Sequence, residues 1–270
     1  MYRCLEEMTW QELQEAIADG ADTALLVLGS IEQHGPHLPL GTDTILGYAW
    51  GEAIAERLGS TIVVPVVRPG VSRHHLGFPG TLTLEESTFQ AVILQICISL
   101  AQTGFRKIIP FCSHGGNWPS VFAVSHRLRD ALPRGSALVL LDQASVNGIE
   151  DRIYAFLREK GIEEPVAGIH AGLRETSHML DIAACSVRVE RITRGWVGAS
   201  ALRLIKEGKR ILEISESGIL GDAVGSTREL GREINDLTVR LYVEALRAAL
   251  LQLESGANTH NETQGHGRVS

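Results

Sequence analysis

Several of the ten histidines among these 270 residues fall beside carboxylates in glycine-rich segments. The first segment reads Gly29-Ser30-Ile31-Glu32-Gln33-His34-Gly35-Pro36-His37-Leu38-Pro39-Leu40-Gly41-Thr42-Asp43-Thr44. Glu32 and His34 are two residues apart. On an extended backbone that spacing puts both side chains on one face, so an oxygen and a nitrogen can enter a single cavity. Asp43 follows nine residues after His34, beyond a Gly-Pro turn and at a helix start. From there its two oxygens could bridge two cations. A second segment, Ser113-His114-Gly115-Gly116-Asn117, sets a histidine before two glycines that let the backbone approach a ligand closely. A third, Ile169-His170-Ala171-Gly172-Leu173-Arg174-Glu175-Thr176-Ser177-His178, offers Glu175 at the opening of a helix. Mixed imidazole and carboxylate ligation suits Zn, Mn or Fe(II) at catalytic sites left open to water.

Each residue also has a plainer reading. An Asp ahead of a helix can be only an N-cap, and a single buried His only a hydrogen-bonded core residue. Charged groups gathered on one side of a sheet, however, must be paired or coordinating.

The elements that must position these segments alternate along the chain. A capping box, Thr9-Trp10-Gln11-Glu12, opens a helix ending near Gly20. The apolar run 23–29 predicts a strand buried on both faces. A helix over 44–58, closed by Gly59, and a strand over 61–67 follow. Thr83-Leu84-Glu85-Glu86 is a second capping box, for a helix through Ala101. Residues 107–112 predict a strand in which Pro110 calls for a bulge or an irregular exit. Asn117 is expected to cap a helix reaching about Leu132. Strands are expected at 137–142 and 210–215, and helices at 150–160, 176–185 and 226–252. The alternation predicts an α/β fold, a layered sandwich with a mostly parallel central sheet flanked by helices. In such sheets sites form beyond the carboxyl ends of the strands, where the first two segments lie. Residues 1–253 read as a single domain. The polar, aperiodic stretch 254–270, with His260 and His266, reads as a disordered tail.

Composition narrows the function classes. At 44% hydrophobic and 21% charged the chain is globular. Its net charge of −7 gives no general attraction for nucleic acid. The longest apolar stretches, 24–28 and 91–101, fall short of the ~20 residues of a membrane span, and Met1-Tyr2-Arg3-Cys4-Leu5-Glu6-Glu7 lacks the apolar region of a signal peptide. A cytoplasmic protein without membrane partners is expected. Cys4, Cys97, Cys112 and Cys185 form no C-x-x-C pair and read as buried free thiols. There is no G-x-S-x-G elbow for a serine hydrolase and no G-x-G-x-x-G after the first strand for a dinucleotide.

The stretch Gly29 to Asp43 resembles the signature of the creatininase (creatinine amidohydrolase) family. Ser113-His114-Gly115-Gly116-Asn117 is similar to its second motif, and His170-Ala171-Gly172 with Glu175-Thr176-Ser177 to its third. Gly70-Val71-Ser72-Arg73-His74-His75-Leu76-Gly77-Phe78-Pro79-Gly80-Thr81 resembles a further family segment, and Ser217-Gly218-Ile219-Leu220-Gly221-Asp222 its C-terminal loop. The resemblance spans residues 5–252. It implies hydrolysis of a non-peptide C–N amide bond, in a cyclic amide or a formamide, by a hydroxide bridging two divalent metals per chain, Zn and/or Mn with Fe as a further option. It also implies a homo-oligomer, a hexamer. Glu32, His34, Asp43 and His114 match its metal-ligand positions, with Asp43 bridging, and His170 its proton-transfer histidine. Ser72 and His75 fall on the segment expected to contact substrate, and Gly115 and Gly116 offer N–H groups to an oxyanion. Where creatininase has an aromatic residue and then a glutamate, this chain has Gly115-Gly116. Glu175 is the expected replacement for that glutamate. Because the pocket tryptophan is also missing, near Val166, the resemblance does not imply creatinine itself as the substrate. Two other readings stand beside amide hydrolysis in general: a formamide-type deformylase on the same centre, and a non-catalytic, metal-stabilised binding or assembly protein.

Overall fold

The computed structural model describes residues 3–198 and 200–264, with the side chains of 4–198 and 200–255. Five strands form one parallel sheet: β1 (Arg3–Cys4), β2 (Thr23–Leu28), β3 (Thr61–Val67), β4 (Lys107–Cys112) and β5 (Ala137–Leu138), in spatial order β1-β3-β2-β4-β5. Between them run α1 (Trp10–Ala18), α2 (Thr42–Leu58), α3 (Glu86–Gln102) and α4 (Trp118–Ala131). After the sheet come α5 (Gln143–Glu159), α6 (Glu164–Ala167), α7 (Leu173–Ile182), α8 (Ala201–Lys206) and α9 (Arg228–Gln264). Every residue of β2 is buried, as its unbroken apolar run requires for a strand covered on both faces. Helices α2, α7 and α9 pack together, as do α3 and α4. The ring of Phe111 meets Tyr242 of α9 edge-on at 4.9 Å.

The strand order locates the site. From β2 the chain crosses through α2 to β3 on one side, and from β4 it crosses through α4 to β5 on the other. The connections diverge between β2 and β4, and the crevice at such a switch point is where open α/β sheets bind ligands.

Helix α2 lies close on the sheet. Asp43, Gly47 and Gly51 are four residues apart and share a helix face. A Cβ on Gly47 would stand 2.8 Å from Ser113 Oγ and 3.0 Å from Val27 Cγ1. The absent side chains let α2 settle onto β2 and deliver Asp43, one turn earlier, to the strand ends.

Pro110 causes no bulge. The ladder from β2 to β4 runs unbroken, with Pro110 opposite Leu26. Lys107 and Ser113 donate their N–H groups towards β2, so Pro110, in odd register with them, turns its nitrogen the other way. On that side pairing with β5 has already ended at Ile108. A missing donor there breaks no bond.

Other expectations need correction. Thr83 does not cap α3, which begins at Glu86; its hydroxyl accepts the N–H of Ser72 at 2.8 Å instead. Strand β5 is two residues long, because Asp142 turns to cap α5 by accepting the N–H of Ser145 at 2.8 Å. No strand forms at 210–215: Glu213 accepts the N–H of Arg210 at 2.9 Å and closes a 3-10 turn over Ile211–Glu213. Helix α7 starts at Leu173, three residues earlier than expected, which puts Glu175 inside its first turn. Helix α9 runs to Gln264, into the stretch 254–270 read as a tail; 265–270, with His266, lie outside the described residues. Cys4, Cys97 and Cys112 are buried thiols, but Cys185 is exposed. Among the described residues no helix is long and apolar enough to cross a membrane.

Candidate metal centre

The predicted residues converge at the carboxyl ends of three adjacent strands. Glu32 and His34 come from the loop after β2, Asp43 from the first turn of α2, and His114 from the end of β4. His75 follows β3, and His170 and Glu175 arrive on the loop into α7 and its first turn. All but Glu175 are buried.

Asp43 stands at the middle, with its Oδ1 3.7 Å from His34 Nε2 and its Oδ2 3.4 Å from His114 Nδ1. His34 Nε2 is also 3.5 Å from Glu175 Oε1, and His114 Nδ1 3.3 Å from Glu32 Oε1. The side chains therefore sort into two groups whose ligand atoms lie within 4.8 Å of one another: Glu32, Asp43 and His114; and His34, Asp43 and Glu175. Glu32, His34 and His170 make a third.

Main-chain carbonyls set the tautomers. His34 donates Nδ1–H to the Glu32 carbonyl at 3.0 Å, His114 donates Nε2–H to the Val71 carbonyl at 3.2 Å, and His170 donates Nε2–H to the Gln33 carbonyl at 2.7 Å. Each ring then turns its other nitrogen to the carboxylates, the outer-shell arrangement usual for metal-binding imidazoles. Among the described residues, Glu32 Oε1, His34 Nε2 and Asp43 Oδ2 are buried without a hydrogen-bond partner. An orphaned nitrogen facing orphaned carboxylate oxygens is a lining that a cation would satisfy, and this mixed N/O donor set fits divalent metal.

The charges agree. Burial raises the Glu32 carboxyl to about 7, with the His114 charge opposing the rise. Burial works against charging His114, but Glu32 and Asp43 outweigh it and lift the ring to about 9. Glu175 and Asp43 likewise overcome burial to hold His34 well above the usual imidazole range. Asp43 is buried too, yet His34 and His114 keep its carboxyl far below the usual range. Despite burial, His34 draws Glu175 down to about 2. Burial, and then the charge on His34, hold His170 down to about 3.

Ser72 and His75 are buried beside Glu32. Ser30 donates to Glu32 Oε2 at 3.0 Å, and its oxygen accepts from Ser72 at 2.6 Å. His75 Nε2 is 3.1 Å from Glu32 Oε1, near it but out of hydrogen-bond alignment. Gly115 is exposed with open space at its Cβ position, whereas a Cβ on Gly116 would run into His114 Nε2. His37 and His178 are tied elsewhere, to Thr176 and Asn235. Ser30, Gln33 and Asn117 also belong to the site, which their residue types do not announce. Asn117 had been expected as a helix cap; its amide instead accepts the N–H of Val71 and donates to the carbonyls of Leu28 and Gly29. Their place inside the glycine-rich segments was the available signal.

The chain is similar to known proteins. The family model described as creatininase, creatinine amidohydrolase, matches residues 6–246. A mycofactocin precursor peptide peptidase of Mycolicibacterium smegmatis is 30% identical over 217 residues, 78% of each chain. A solved manganese form of creatininase superposes with a TM-score of 0.75 at 24% identity, covering 92% of this chain and 98% of that one. A mutant creatininase of zinc–zinc type gives 0.74 at 24% identity, over 92% and 98%. The chain belongs to the creatininase family, whose members it joins as a metal-binding hydrolase of C–N bonds.

Proposed function

We propose that this chain hydrolyses a small amide, cyclic or a formamide, with two divalent ions, zinc or manganese, with iron also suited to the ligand set. Glu32, Asp43 and His114 would hold one ion, and His34, Asp43 and Glu175 the other. The observation that carries this reading is the division of Asp43, one oxygen towards each histidine. Bound there, the ions supply Lewis acidity, which lowers the pKa of water towards neutrality and polarises a carbonyl.

The chain's own groups do the rest. His170, with Nε2 engaged by the Gln33 carbonyl, keeps Nδ1 bare towards the centre, 3.8 Å from Glu32 Oε1 and 4.0 Å from Glu175 Oε2. It takes a proton there from the attacking water and returns it to the departing nitrogen. The N–H groups of the exposed Gly115 and the half-buried Gly116, which follow His114, are assigned to the developing oxyanion. Ser72 and His75, expected as substrate contacts, are assigned to hold Glu32. The family resemblance and the free thiols support a homo-oligomer, a hexamer, in the cytoplasm.

A peptide amide is a second reading, favoured by the likeness to the mycobacterial peptide peptidase and by the open space at Gly115. Elemental analysis of protein purified without chelator tests the centre: about two ions per chain, both lost in Asp43→Ala, are expected. One ion would mean a mononuclear hydrolase, and none would end the reading. A screen of cyclic amides, formamides and short peptides then separates the substrates. Full metal without turnover of any of them would favour the binding-protein alternative.

A further inference from the structure

Three of the four imidazoles around Glu32, His34 and Asp43 donate their outer N–H to a main-chain carbonyl; His75 does not. Its Nδ1 instead lies 3.2 Å from the amide nitrogen of Gln33, a buried side chain whose neighbours on both sides are proposed ligands. Gln33 Oε1 accepts the N–H of Gly35 at 2.9 Å, and that bond fixes which way round the amide sits. The nitrogen must then face inwards, where it also lies 3.0 Å from the Gly218 carbonyl. It has two protons for two acceptors, Gly218 O and His75 Nδ1. His170 Nε2, 3.0 Å from the same nitrogen, cannot be a third acceptor, because its proton is engaged at 2.7 Å with the Gln33 carbonyl.

We propose that Gln33 is a positioning residue that sets the proton pattern of two imidazoles at once. Its side-chain amide holds His75 as the Nε2–H tautomer facing Glu32, and its main-chain carbonyl holds His170 with Nδ1 bare towards the centre. The loop around it is shaped for this role. Gly218 has φ +78°, and a Cβ there would collide with Gln33 Oε1. The amide therefore fits only under a glycine. With Nδ1 accepting, the single proton of neutral His75 lies on Nε2, 3.1 Å from Glu32 Oε1. That proton faces the carboxylate without completing a hydrogen bond to it, an outer-shell contact of the kind that tunes ligating carboxylates.

Gln33→Glu keeps the shape and removes both donors. Its second oxygen would face the Gly218 carbonyl and would accept from His75 at Nδ1. The proton of His75 would leave Nε2, turning a lone pair to Glu32. Loss of such outer-shell support lowers metal affinity or kcat by roughly 10–100-fold. KM should change little, because Gln33 is assigned no contact with substrate.

The tautomers can be read directly by nitrogen NMR of zinc-loaded protein carrying isotope-labelled histidine, with His75→Asn and His170→Asn assigning the signals. His75 and His170 are both expected as Nε2–H in the wild type, and Gln33→Glu should move the proton of His75 while His170 stays as it is. A wild-type His75 protonated at Nδ1 would overturn the proposal. So would a Gln33→Glu protein with its histidine spectrum, metal affinity and kcat unchanged. If Gln33→Glu does not fold, the wild-type spectrum still decides, and Gln33→Asn, which withdraws the amide by one methylene, is read in the same way. The inference rests on the two-metal reading, but the two fail separately. Wrong tautomers in a protein holding two ions defeat only the role of Gln33, whereas a chain that takes up no metal defeats the centre.

Discussion

The hydroxyl of Ser113, at the end of β4, donates to the main-chain carbonyl of Asp43 in the first turn of α2 at 2.8 Å. This bond ties together two elements 70 residues apart in sequence. With the close seating of α2 over Gly47, it helps to aim the Asp43 carboxylate between His34 and His114.

Gly47→Ala tests that seating. Ala is the better helix former by about 1 kcal/mol, but its Cβ would press on Ser113 Oγ at 2.8 Å. Overpacking should win, with a net loss of about 1–3 kcal/mol in urea unfolding and weaker metal retention. A more stable variant with full metal would show that α2 does not need this contact.

Glu175→Ala separates the two ions. Glu175 Oε1 faces His34 alone, so the substitution should halve the metal content and leave the ion held by Glu32, Asp43 and His114. Elemental analysis checks it. A protein that kept its full complement would remove Glu175 from the ligand set.

Chelation should lower stability. Among the described residues three buried atoms of the centre, Glu32 Oε1, His34 Nε2 and Asp43 Oδ2, have no hydrogen-bond partner, and a ligand present at a thousand times its Kd stabilises the native state by about 4 kcal/mol. The melting temperature should fall with chelator and recover in proportion to added zinc or manganese. A Tm indifferent to both would count against a structural contribution from the metal.

His170→Gln should keep both ions and lower kcat by roughly 10²–10⁴, the usual worth of a positioned acid–base group. Steady-state rates beside metal analysis separate this outcome from a collapsed site. A variant that lost metal in step with activity would make His170 a ligand, as its place in a group with Glu32 and His34 allows.

Asn117→Ala should be costly although its side chain makes no hydrogen bond to a proposed ligand. Its amide serves the carbonyls of Leu28 and Gly29 and the N–H of Val71, and the residue is fully buried. Leaving these groups unsatisfied should cost roughly 2–4 kcal/mol in denaturant unfolding. A change below about 1 kcal/mol would mean that the loop re-pairs these groups itself.

Much of the site was legible because its residues lie in short segments. Glu32 and His34 share a side at a spacing of two, and Asp43 stands where a helix must begin. Misreadings came where one residue type serves two purposes. Thr83 and Asn117 are good helix caps, and nothing local shows that their polar atoms are drawn to Ser72, Val71 and the end of β2 instead. The segment 210–215 has the apolar content of a strand, but no neighbour is placed to pair with it, and the bond from Arg210 to Glu213 curls it into a turn. Pro110 looked disruptive only because the sequence does not say which side of β4 lacks a partner.

By itself, the sequence determined the chemistry on offer: the imidazoles and carboxylates, the glycines between them, and the alternation of apolar runs that sets them at the ends of parallel strands. These follow from residue type and local spacing, which act over a few residues. Only the tertiary structure decided which oxygen of Asp43 faces which histidine and which nitrogen of each ring is left bare. For His34 the main-chain carbonyl is local, that of Glu32, but for the other two rings it is brought from afar, Val71 to His114 across 43 residues and Gln33 to His170 across 137. A ring's proton goes to whichever acceptor packing places within about 3 Å, and that placement belongs to the fold.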